Sequence, residues 1–468
     1  MRRGSPDVAI VGLACIFPRA PDALSFWENI LGKVSAIADP PADWGTELVY
    51  DPSSTANDRI YTSRGGYLGE LAAFNPLKYG LMPVGIDGAE PEHFLALRVA
   101  HEALGDAGYL EKEFDRTRTT VILGRGTYVN RGYATVFQHA VAVDQAIRLV
   151  RALHPEHSEA ELEALKQELK AGLPPFNAET APGLVPSVMC GRIANRLDLM
   201  GPAYSVDAAC ASSLIAIDLA MSDLVSGKAD LALAGGVQAS TTFPIMMVFS
   251  QLGALSRRGE VRPFQVDADG TLLGEGVAVL VLKRRDDAQR DGDRIYALIK
   301  AVGTASDGRA LGVLAPRVEG EELAMHRAYE AAAVSPETIG LVEAHGTATP
   351  VGDRAEIDAL TRVFGGRKNG LATCALGSVK SMIGHTIPAA GAAGMIKAAL
   401  ALYHKVLPPT LNTERPSPLL QGTPFYLNDQ PRPWISAGFV PRRAAVSAFG
   451  FGGINAHAIL EEHVDTAA

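Results

Sequence analysis

Short apolar segments recur along this chain, separated by longer segments with a helical pattern. They cover residues 8–14, 120–123, 231–237, 277–282, 296–302, 339–343, 375–379 and 444–448. A strand that faces solvent on one side carries polar residues at alternate positions, and these segments do not. The pattern therefore predicts an α/β protein with helices on both faces of its sheets.

Two of the intervening helices carry clear end signals. Residues 92–107 stop before Gly108, and residues 211–225 stop shortly before Gly227. Glycine commonly follows the last turn of a helix, because it adopts the left-handed conformation without strain. The second helix is apolar on nearly all sides, so we expect it to be deeply buried.

A third helical region, near residues 138–173, has a different character. Residues 138–153 form one amphipathic pattern, and Ser158 with Glu161 has the form of a capping box that opens a second, charged helix. Two consecutive prolines close the region. We interpret it as a helical insertion on the protein surface.

The composition is that of an ordinary globular protein and argues against several classes of partner. The 468 residues are 47% hydrophobic and 20% charged, with a net charge of −9. A nucleic-acid or anionic-membrane surface needs a concentrated basic face, so neither partner is expected. Residues 231–256 carry no charge over a length that could cross a bilayer, but their polar side chains favour the buried core of a soluble protein.

The four cysteines are far apart in the sequence, at Cys15, Cys190, Cys210 and Cys374. They form no CxxC pair, which argues against a disulfide framework and against a zinc-finger spacing. We therefore expect a reducing compartment and a cytoplasmic protein. Most histidines lack metal-ligand spacing, and no metal site is expected.

A reactive residue type lies at a junction between a strand and a helix. Cys210 follows the strand-like start of the motif VDAACASSL and precedes the apolar helix. The N-terminus of a helix carries partial positive charge, which lowers the pKa of a nearby thiol and raises its thiolate fraction. Cys210 is thus a candidate nucleophile, and a small core residue is the alternative interpretation.

Two further junctions carry histidines. His345 follows an apolar strand and precedes two threonines and a helix that contains Glu356, and Lys380 and His385 follow another strand with a glycine turn between them. Ligands of α/β proteins bind where the carboxyl ends of strands meet. The three junctions together predict one site with a cysteine, two histidines and a lysine.

The motifs VDAACASSL, EAHGTATPVGD, SVKSMIGHTIPAAG and SAFGFGGINAH occur in this order. As a set they resemble the β-ketoacyl synthases of the thiolase superfamily, in particular the two-histidine elongating class. The chain is most similar to the synthase domains of polyketide and polyunsaturated-fatty-acid multienzymes. The resemblance implies a thiolase-like five-layered αβαβα fold of two similar halves, residues 1–275 with the cysteine and 276–468 with both histidines.

The resemblance also implies the reaction and the residues at its centre. Cys210 would take an acyl group from an acyl carrier protein as a thioester, for a decarboxylative Claisen condensation with a malonyl unit. His345 and His385 would promote decarboxylation and stabilise the enolate through imidazole N–H donors. Lys380 and Glu356 would form a supporting ion pair.

Further roles follow from the same resemblance. The backbone N–H groups of Cys210 and Phe449 would form the oxyanion hole, and Phe449 would also gate the pocket. Thr347 and Thr349 would hydrogen-bond the phosphopantetheine arm, and Phe249 would line the acyl pocket. Neighbouring positions depart from the usual pattern and leave the acyl substrate open; they are Ala208, Ala211, Met382, Ile454 and residues 306–309.

By this resemblance the domain binds no cofactor itself, since its substrates arrive on the phosphopantetheine of an acyl carrier protein. The implied partners are that carrier, a second copy in a homodimer, and other domains of a multienzyme such as an acyltransferase. Two other interpretations remain. A non-condensing subunit that sets chain length would lack the nucleophile, which is present. A thiolase or thioesterase would use coenzyme A or water, and a thiolase typically carries a second catalytic cysteine that the C-terminal glycine-rich motif lacks.

Overall fold

The structure is a computed structural model that describes residues 7–42, 44–86, 88–126, 131–310, 312–436 and 440–464. The strands in these residues are β1 (Val8–Ile16), β2 (Ile37–Ala38), β3 (Gly65–Gly66), β4 (Thr119–Arg125), β5 (Ala203–Val206), β6 (Leu231–Gln238), β7 (Gly276–Arg284), β8 (Ala297–Ser306), β9 (Leu341–Glu343), β10 (Cys374–Gly377), β11 (Val406–Leu407), β12 (Phe425–Leu427), β13 (Arg432–Pro433), β14 (Arg443–Gly450) and β15 (Ile454–Glu461).

Helices connect most of these strands. They are α1 (Ala23–Leu31), α2 (Thr46–Val49), α3 (Pro91–Asp106), α4 (Arg131–Phe137), α5 (Val143–Leu153), α6 (Glu159–Ala171), α7 (Thr180–Gly183), α8 (Val188–Leu197), α9 (Ser212–Val225), α10 (Phe243–Gln251), α11 (Arg285–Arg290), α12 (Val318–Ala332), α13 (Pro350–Phe364), α14 (Lys380–Ile383) and α15 (Ala390–His404). Among the described residues, no helix has the length and apolarity of a membrane span. The uncharged residues 231–256 form β6 and the short α10 instead.

Eleven strands form one hydrogen-bonded order, β12-β10-β9-β14-β15-β8-β1-β7-β6-β4-β5. The order divides at the contact between β8 and β1, which extends over three residue pairs. On one side, β4 lies between parallel neighbours β5 and β6, and β6 is followed by antiparallel β7. On the other side, β9 lies between parallel neighbours β10 and β14, and β14 is followed by antiparallel β15. The two halves therefore repeat one topology.

Helices cover both half-sheets and give five layers. The buried residues of α9 and α15 share a core with the facing sides of both half-sheets. The residues of α3 and α8 pack on the outer side of the first half-sheet, and those of α12 and α13 on the outer side of the second. The resulting order of helix, sheet, helix, sheet and helix confirms the predicted five-layered αβαβα fold.

The halves meet later in the sequence than the predicted boundary between residues 275 and 276. β7 begins at Gly276, yet it pairs with β1 and β6 of the first half. The change between halves therefore falls after α11, where the chain enters β8. The first six residues of the predicted first half lie outside the described residues.

The helical insertion is present and begins earlier than residue 138. α4, a π-helical segment (Gln138–Ala142) and α5 follow one another with helical backbone angles at both junctions. The capping box opens α6 as predicted, with Ser158 and Glu161 exchanging hydrogen bonds. The insertion has its own small apolar cluster of Val143, Ile147 and Leu162.

Candidate active site

The three strand-to-helix junctions meet at one cavity of about 400 Å³. Cys210 lies after β5 and before α9, His345 lies after β9, and His385 follows β10 and α14. All three side chains line the cavity. The first half of the fold thus supplies the cysteine, and the second half supplies both histidines.

Cys210 lies in a tight turn. The preceding residue, Ala209, has a φ of 48°, which is the left-handed conformation that L-residues rarely adopt. The Ser212 hydroxyl secures the turn, since it accepts from the N–H of Ala208 at 2.8 Å and donates to the carbonyl of Ala209 at 2.6 Å. Gly450 packs so closely that a β-carbon there would lie 2.6 Å from the Ala208 carbonyl. The turn holds the thiol at the start of α9.

His385 is in direct contact with the thiol. Its Nε2 lies 3.1 Å from Cys210 Sγ, and its Nδ1 accepts the backbone N–H of Ile387 at 3.2 Å. Because Nδ1 accepts, the proton of the neutral ring resides on Nε2. Burial, and then the charge of Lys380, lower the pKa of His385 well below its ordinary value. His385 is therefore a neutral imidazole that donates its Nε2–H toward the sulfur.

His345 is the second imidazole of the cavity. Its ring stands nearly perpendicular to that of His385, with the centroids 5.4 Å apart. Its backbone N–H and that of Gly346 both donate to the Glu356 carboxylate at 2.8 Å, which anchors the turn after β9. Burial, Lys380 and His385 lower the pKa of His345 well below its ordinary value. Both rings are thus neutral N–H donors at neutral pH.

Burial dominates the acidity of Cys210. The thiol lies among apolar side chains that include Phe249, Leu273 and Ile387. Desolvation raises the pKa of Cys210 to about 11, although Lys380 and the backbone N–H of Phe451 act in the opposite direction. The sequence predicted a lowered pKa from the helix N-terminus. The structure differs because the start of α9 is shielded from water, so the resting group is a thiol.

The predicted ion pair between Lys380 and Glu356 is absent. Lys380 is 3% exposed and interacts electrostatically with Glu343, Glu356 and Cys210, but no salt bridge joins it to Glu356. The direct pair beneath the site is Glu343 with Lys397, at 2.6 Å. Sequence reasoning missed this pair, although a single lysine in the small apolar residues of α15 was a signal for it.

The structure also changes the assignment of Phe449. This residue is still within β14, opposite Asn455, and its ring packs on His345 with centroids 5.6 Å apart. The backbone N–H that reaches the Cys210 sulfur belongs to Phe451, just past the strand end. The pattern FGFGG contains both phenylalanines. Only the length of β14 decides which of the two lies past the strand end, with its N–H free to face the thiol.

The remaining predicted site residues line the same cavity. The hydroxyls of Thr347 and Thr349 lie 3.1 Å apart beside the turn after β9. The ring of Phe249 is almost fully buried and lies 5.6 Å from that of Phe451. The exposed side chains of Val313 and Val351 mark the mouth of the cavity. Phe249 therefore lines its interior.

One group of potential metal ligands lies elsewhere, on the loop between α5 and α6. His154, Glu156 and His157 are exposed, and their ligand atoms lie within 4.8 Å of one another. Sequence reasoning found no metal-ligand spacing among the histidines. Within the described residues, this is the one such group, and it is separate from the cavity of Cys210.

Proteins of similar sequence are long synthases. The chain is 38% identical over 466 residues to a polyunsaturated fatty acid synthase protein of Thraustochytrium sp., covering 97% of this chain and 16% of that protein. It is 37% identical over 465 residues to a phenolphthiocerol/phthiocerol polyketide synthase protein of Mycobacterium tuberculosis, covering 98% of this chain and 24% of that protein. The chain thus spans less than a quarter of the length of either relative.

Solved structures of similar fold are ketosynthases. The oxazolomycin ketosynthase domain of Streptomyces albus gives a TM-score of 0.82 at 32% identity, covering 98% of this chain and 74% of that one. The ketosynthase from module 6 of the bacillaene synthase of Bacillus subtilis gives a TM-score of 0.81 at 33% identity, covering 98% and 73%.

Two family descriptions divide the sequence where the sheet divides. Residues 5–288 match "Beta-ketoacyl synthase, N-terminal domain", and residues 296–414 match "Beta-ketoacyl synthase, C-terminal domain". The interval between the matches contains the end of α11 and most of the connection to β8, at the change from one half-sheet to the other. The chain therefore belongs to the β-ketoacyl synthase family of condensing enzymes.

Proposed function

We propose that this chain joins an acyl group held on Cys210 to a malonyl unit delivered by an acyl carrier protein. The observation that carries the proposal is the 3.1 Å contact between Cys210 Sγ and His385 Nε2, with His345 beside them in the same cavity. A thiol that accepts an acyl group and two neutral N–H donors are the groups that a decarboxylative condensation needs.

In the first step, the Cys210 sulfur attacks the carbonyl carbon of a carrier-bound thioester. The bond from that carbon to the carrier sulfur breaks, and the thiol proton passes to the departing pantetheine sulfur. The step exchanges one thioester for another, so no external reagent is consumed. The backbone N–H groups of Cys210 and Phe451 stabilise the oxyanion of the tetrahedral intermediate.

In the second step, a malonyl thioester loses carbon dioxide and becomes an enolate. The enolate oxygen accepts hydrogen bonds from the imidazoles of His345 and His385, and Lys380 helps to keep both rings neutral by lowering their pKa values. The enolate carbon attacks the acyl carbonyl on Cys210, and the carbon–sulfur bond breaks. The product is a 3-oxoacyl thioester on the carrier, and the Cys210 sulfur regains a proton from solvent.

The carrier delivers both substrates, so the proposal requires no cofactor bound by this chain. The hydroxyls of Thr347 and Thr349 line the cavity and supply hydrogen bonds for the amide groups of a phosphopantetheine arm. Lys380, Glu343 and Lys397 lie beneath the reacting groups and act as positioning residues.

A homodimer is part of the proposal. β5 is the last strand of the sheet order, and its outer edge has no strand partner among the described residues. Pairing with β5 of a second copy satisfies the exposed backbone groups of this edge. Light scattering coupled to gel filtration tests this, with a mass of two chains expected and a shift toward one chain for Ser205→Pro. A mass of one chain for the unmodified protein would contradict it.

The proposal places the chain beside other domains of a multienzyme, such as an acyltransferase, since the similar relatives are multienzyme synthases. All four cysteines are free and buried. Unpaired cysteines favour a reducing compartment, and we therefore propose the cytoplasm.

Intact-protein mass spectrometry tests the reaction. The chain is incubated with octanoyl-pantetheine, digested to map the adduct, and in a second sample supplied with malonyl-acyl carrier protein. We expect one octanoyl group on Cys210, followed by its conversion to 3-oxodecanoyl-carrier. Cys190, buried and donating to the carbonyl of Tyr204, is the internal control and stays unmodified.

Two results would overturn the proposal. If Cys210 remains unacylated, the cysteine is structural and the chain is a non-condensing subunit. If octanoate appears as the free acid while no 3-oxoacyl product forms, the chain is a thioesterase.

A further inference from the structure

Glu321, in the first turn of α12, is a buried carboxyl group that the reaction described above does not use. Its side chain lines the same cavity as Cys210, His345 and His385. The residue is only 2% exposed, and its Oε2 has no hydrogen-bond partner in the described part of the chain. A buried polar atom without a hydrogen-bond partner is uncommon in proteins and calls for an explanation. In an active-site cavity, a hydrogen bond to a bound ligand is one such explanation.

The start of α12 is rigidly held, so Glu321 has a fixed position. Arg317 donates to the backbone carbonyl of Asp307 at 2.8 Å. A β-carbon on Gly320 would lie 2.0 Å from Asp307 Oδ1, so only glycine permits this close approach. Asp307 Oδ1 in turn accepts from Asn455 at 2.7 Å. The Asp307 carboxylate therefore already has a partner, whereas Oε2 of the neighbouring Glu321 has none among the described residues.

The surroundings of Glu321 favour the protonated form of its carboxyl group. Burial raises its pKa well above the ordinary value, and the charges of Glu356 and Asp307 act in the same direction. Burial also raises the pKa of Glu356, to about 7, although the two backbone N–H groups that it accepts act in the opposite direction. A protonated carboxyl has one O–H donor and one carbonyl acceptor, so Glu321 can donate to an oxygen atom of a ligand.

The position of Glu321 indicates which part of a substrate it contacts. Val313 and Val351, at the mouth of the cavity, are 77% and 68% exposed, whereas Glu321 is almost fully buried. In the proposed reaction a carrier arm enters through the mouth, and we place the acyl chain attached to Cys210 in the interior. Much of the remaining lining is apolar, including Phe249, Leu252 and Phe451. A polar group among apolar walls favours a chain that carries a polar atom.

We propose that Glu321 is a specificity-determining residue that hydrogen-bonds an oxygen substituent on the acyl chain, so that 3-hydroxy and 3-oxo acyl thioesters are preferred over saturated ones. This inference rests on the proposed function, because it assumes that Cys210 carries the chain. The condensation itself supplies the oxygen, since every round leaves a carbonyl at carbon 3 of its product. A substrate of this class reaches the enzyme from a preceding round whose carbonyl was retained or reduced only to the hydroxyl.

A matched pair of substrates tests the inference. Rates of Cys210 acylation by 3-hydroxyoctanoyl-pantetheine and octanoyl-pantetheine are measured by mass spectrometry for the unmodified protein, Glu321→Leu and Glu321→Gln. We expect the hydroxylated chain to react roughly tenfold faster, about the effect of one hydrogen bond, in the unmodified protein. Glu321→Leu should bring the ratio close to one. Glu321→Gln, whose amide both donates and accepts, should retain most of the preference.

Glu322→Gln is the control variant. Glu322 lies one residue later on α12, forms a salt bridge with Arg362 on the outer face, and does not line the cavity. It should keep the preference of the unmodified protein. Thermal unfolding of all variants verifies that each is folded before the rates are compared.

The outcomes separate this inference from the proposed function. Acylation of Cys210 at equal rates by both thioesters in the unmodified protein would overturn the inference and leave the condensation intact. An equal loss of rate with both thioesters in Glu321→Leu would also overturn it, because that result indicates a structural role or a contact with the shared pantetheine arm. Failure of both thioesters to acylate Cys210 would overturn the proposed function itself.

Discussion

The two halves of the sheet repeat one topology but contribute different chemistry. In the first half, the chain leaves β5 and places Cys210 before α9. In the second half, it leaves the matching strand β10 and places Lys380 and His385 before α15. Since α9 and α15 lie in the same central layer, the two junctions face each other. The site therefore forms only where the halves meet.

The strands next to this pair show the same division. β9 is followed by His345, whereas the matching strand β4 ends at Arg125, whose guanidinium pairs with buried Glu92. The Arg125 pair is structural: it connects β4 to α3 and lies outside the lining of the cavity. A repeated topology thus fixes where side chains converge, and the residue types decide which half is reactive.

The largest expected effect comes from removing one reactive group from each half. Cys210→Ala should lose both acylation and condensation completely, because no other thiol lines the cavity. His345→Ala should still form the octanoyl adduct but condense about 10²-fold to 10³-fold more slowly, the effect of losing one donor to a developing oxyanion. Mass spectrometry of the adduct and a product assay with malonyl-carrier measure the two steps separately. Equal loss of both steps in His345→Ala would show that the halves do not divide the chemistry in this way.

The second effect concerns the buried ion pair that supports the second half. Lys397→Met removes the salt-bridge partner of the Glu343 carboxylate, which is 2% exposed and keeps only the N–H of Val379 and the more distant charge of Lys380. Removing one partner of a buried pair typically lowers the free energy of unfolding by about 3–5 kcal/mol. Denaturant unfolding should show a loss of this size, and the double variant Glu343→Gln with Lys397→Met should regain most of it.

A surface pair is the matched control for this variant. Lys368 and Glu337 form a salt bridge in which both side chains are more than half exposed. Lys368→Met should lower the free energy of unfolding by less than about 1 kcal/mol, because water screens exposed pairs. A loss as small as this in Lys397→Met would contradict the supporting role of the buried pair.

Much of the fold could be predicted from the sequence, because strands buried on both faces are continuous apolar runs. β1, β4, β6, β7, β8 and β14 were each located within a few residues. The short strand β12 was not predicted, since three residues carry too little pattern to recognise. The repeated topology was expected only from the family resemblance, because the halves share the order of their strands without evident sequence identity.

The reactive side chains were predictable and their surroundings were not. Cys210, His345 and His385 each follow an apolar strand, and parallel strand ends converge at one edge. Phe451 rather than Phe449 directs its backbone N–H at Cys210 because β14 ends at Gly450. The sequence does not locate the end of that strand to a single residue. The pair of Glu343 with Lys397, and the lack of a partner for Glu321 Oε2 within the described residues, depend on tertiary distances that no local pattern encodes.

The third effect is the pH dependence of the nucleophile. The thiolate is the reactive form, and burial raises the pKa of Cys210 from 9.0 to about 11. Below that pKa the thiolate fraction increases about tenfold per pH unit, so the rate of alkylation by iodoacetamide should keep rising to pH 10. A free cysteine peptide should level off near pH 9. A plateau for Cys210 below pH 9 would show that the N-terminus of α9 outweighs burial.

The smallest effect concerns the insertion, which lies between β4 and β5 and has no counterpart between β9 and β10. Ser158→Ala removes the side chain that caps α6 and should lower local helix stability by about 1 kcal/mol. Because the insertion has its own apolar cluster, this loss should increase hydrogen exchange in α6 while the rate of Cys210 acylation stays unchanged. Slower acylation in Ser158→Ala would instead show that the insertion is coupled to the cavity, and that the first half contributes more to the reaction than its cysteine.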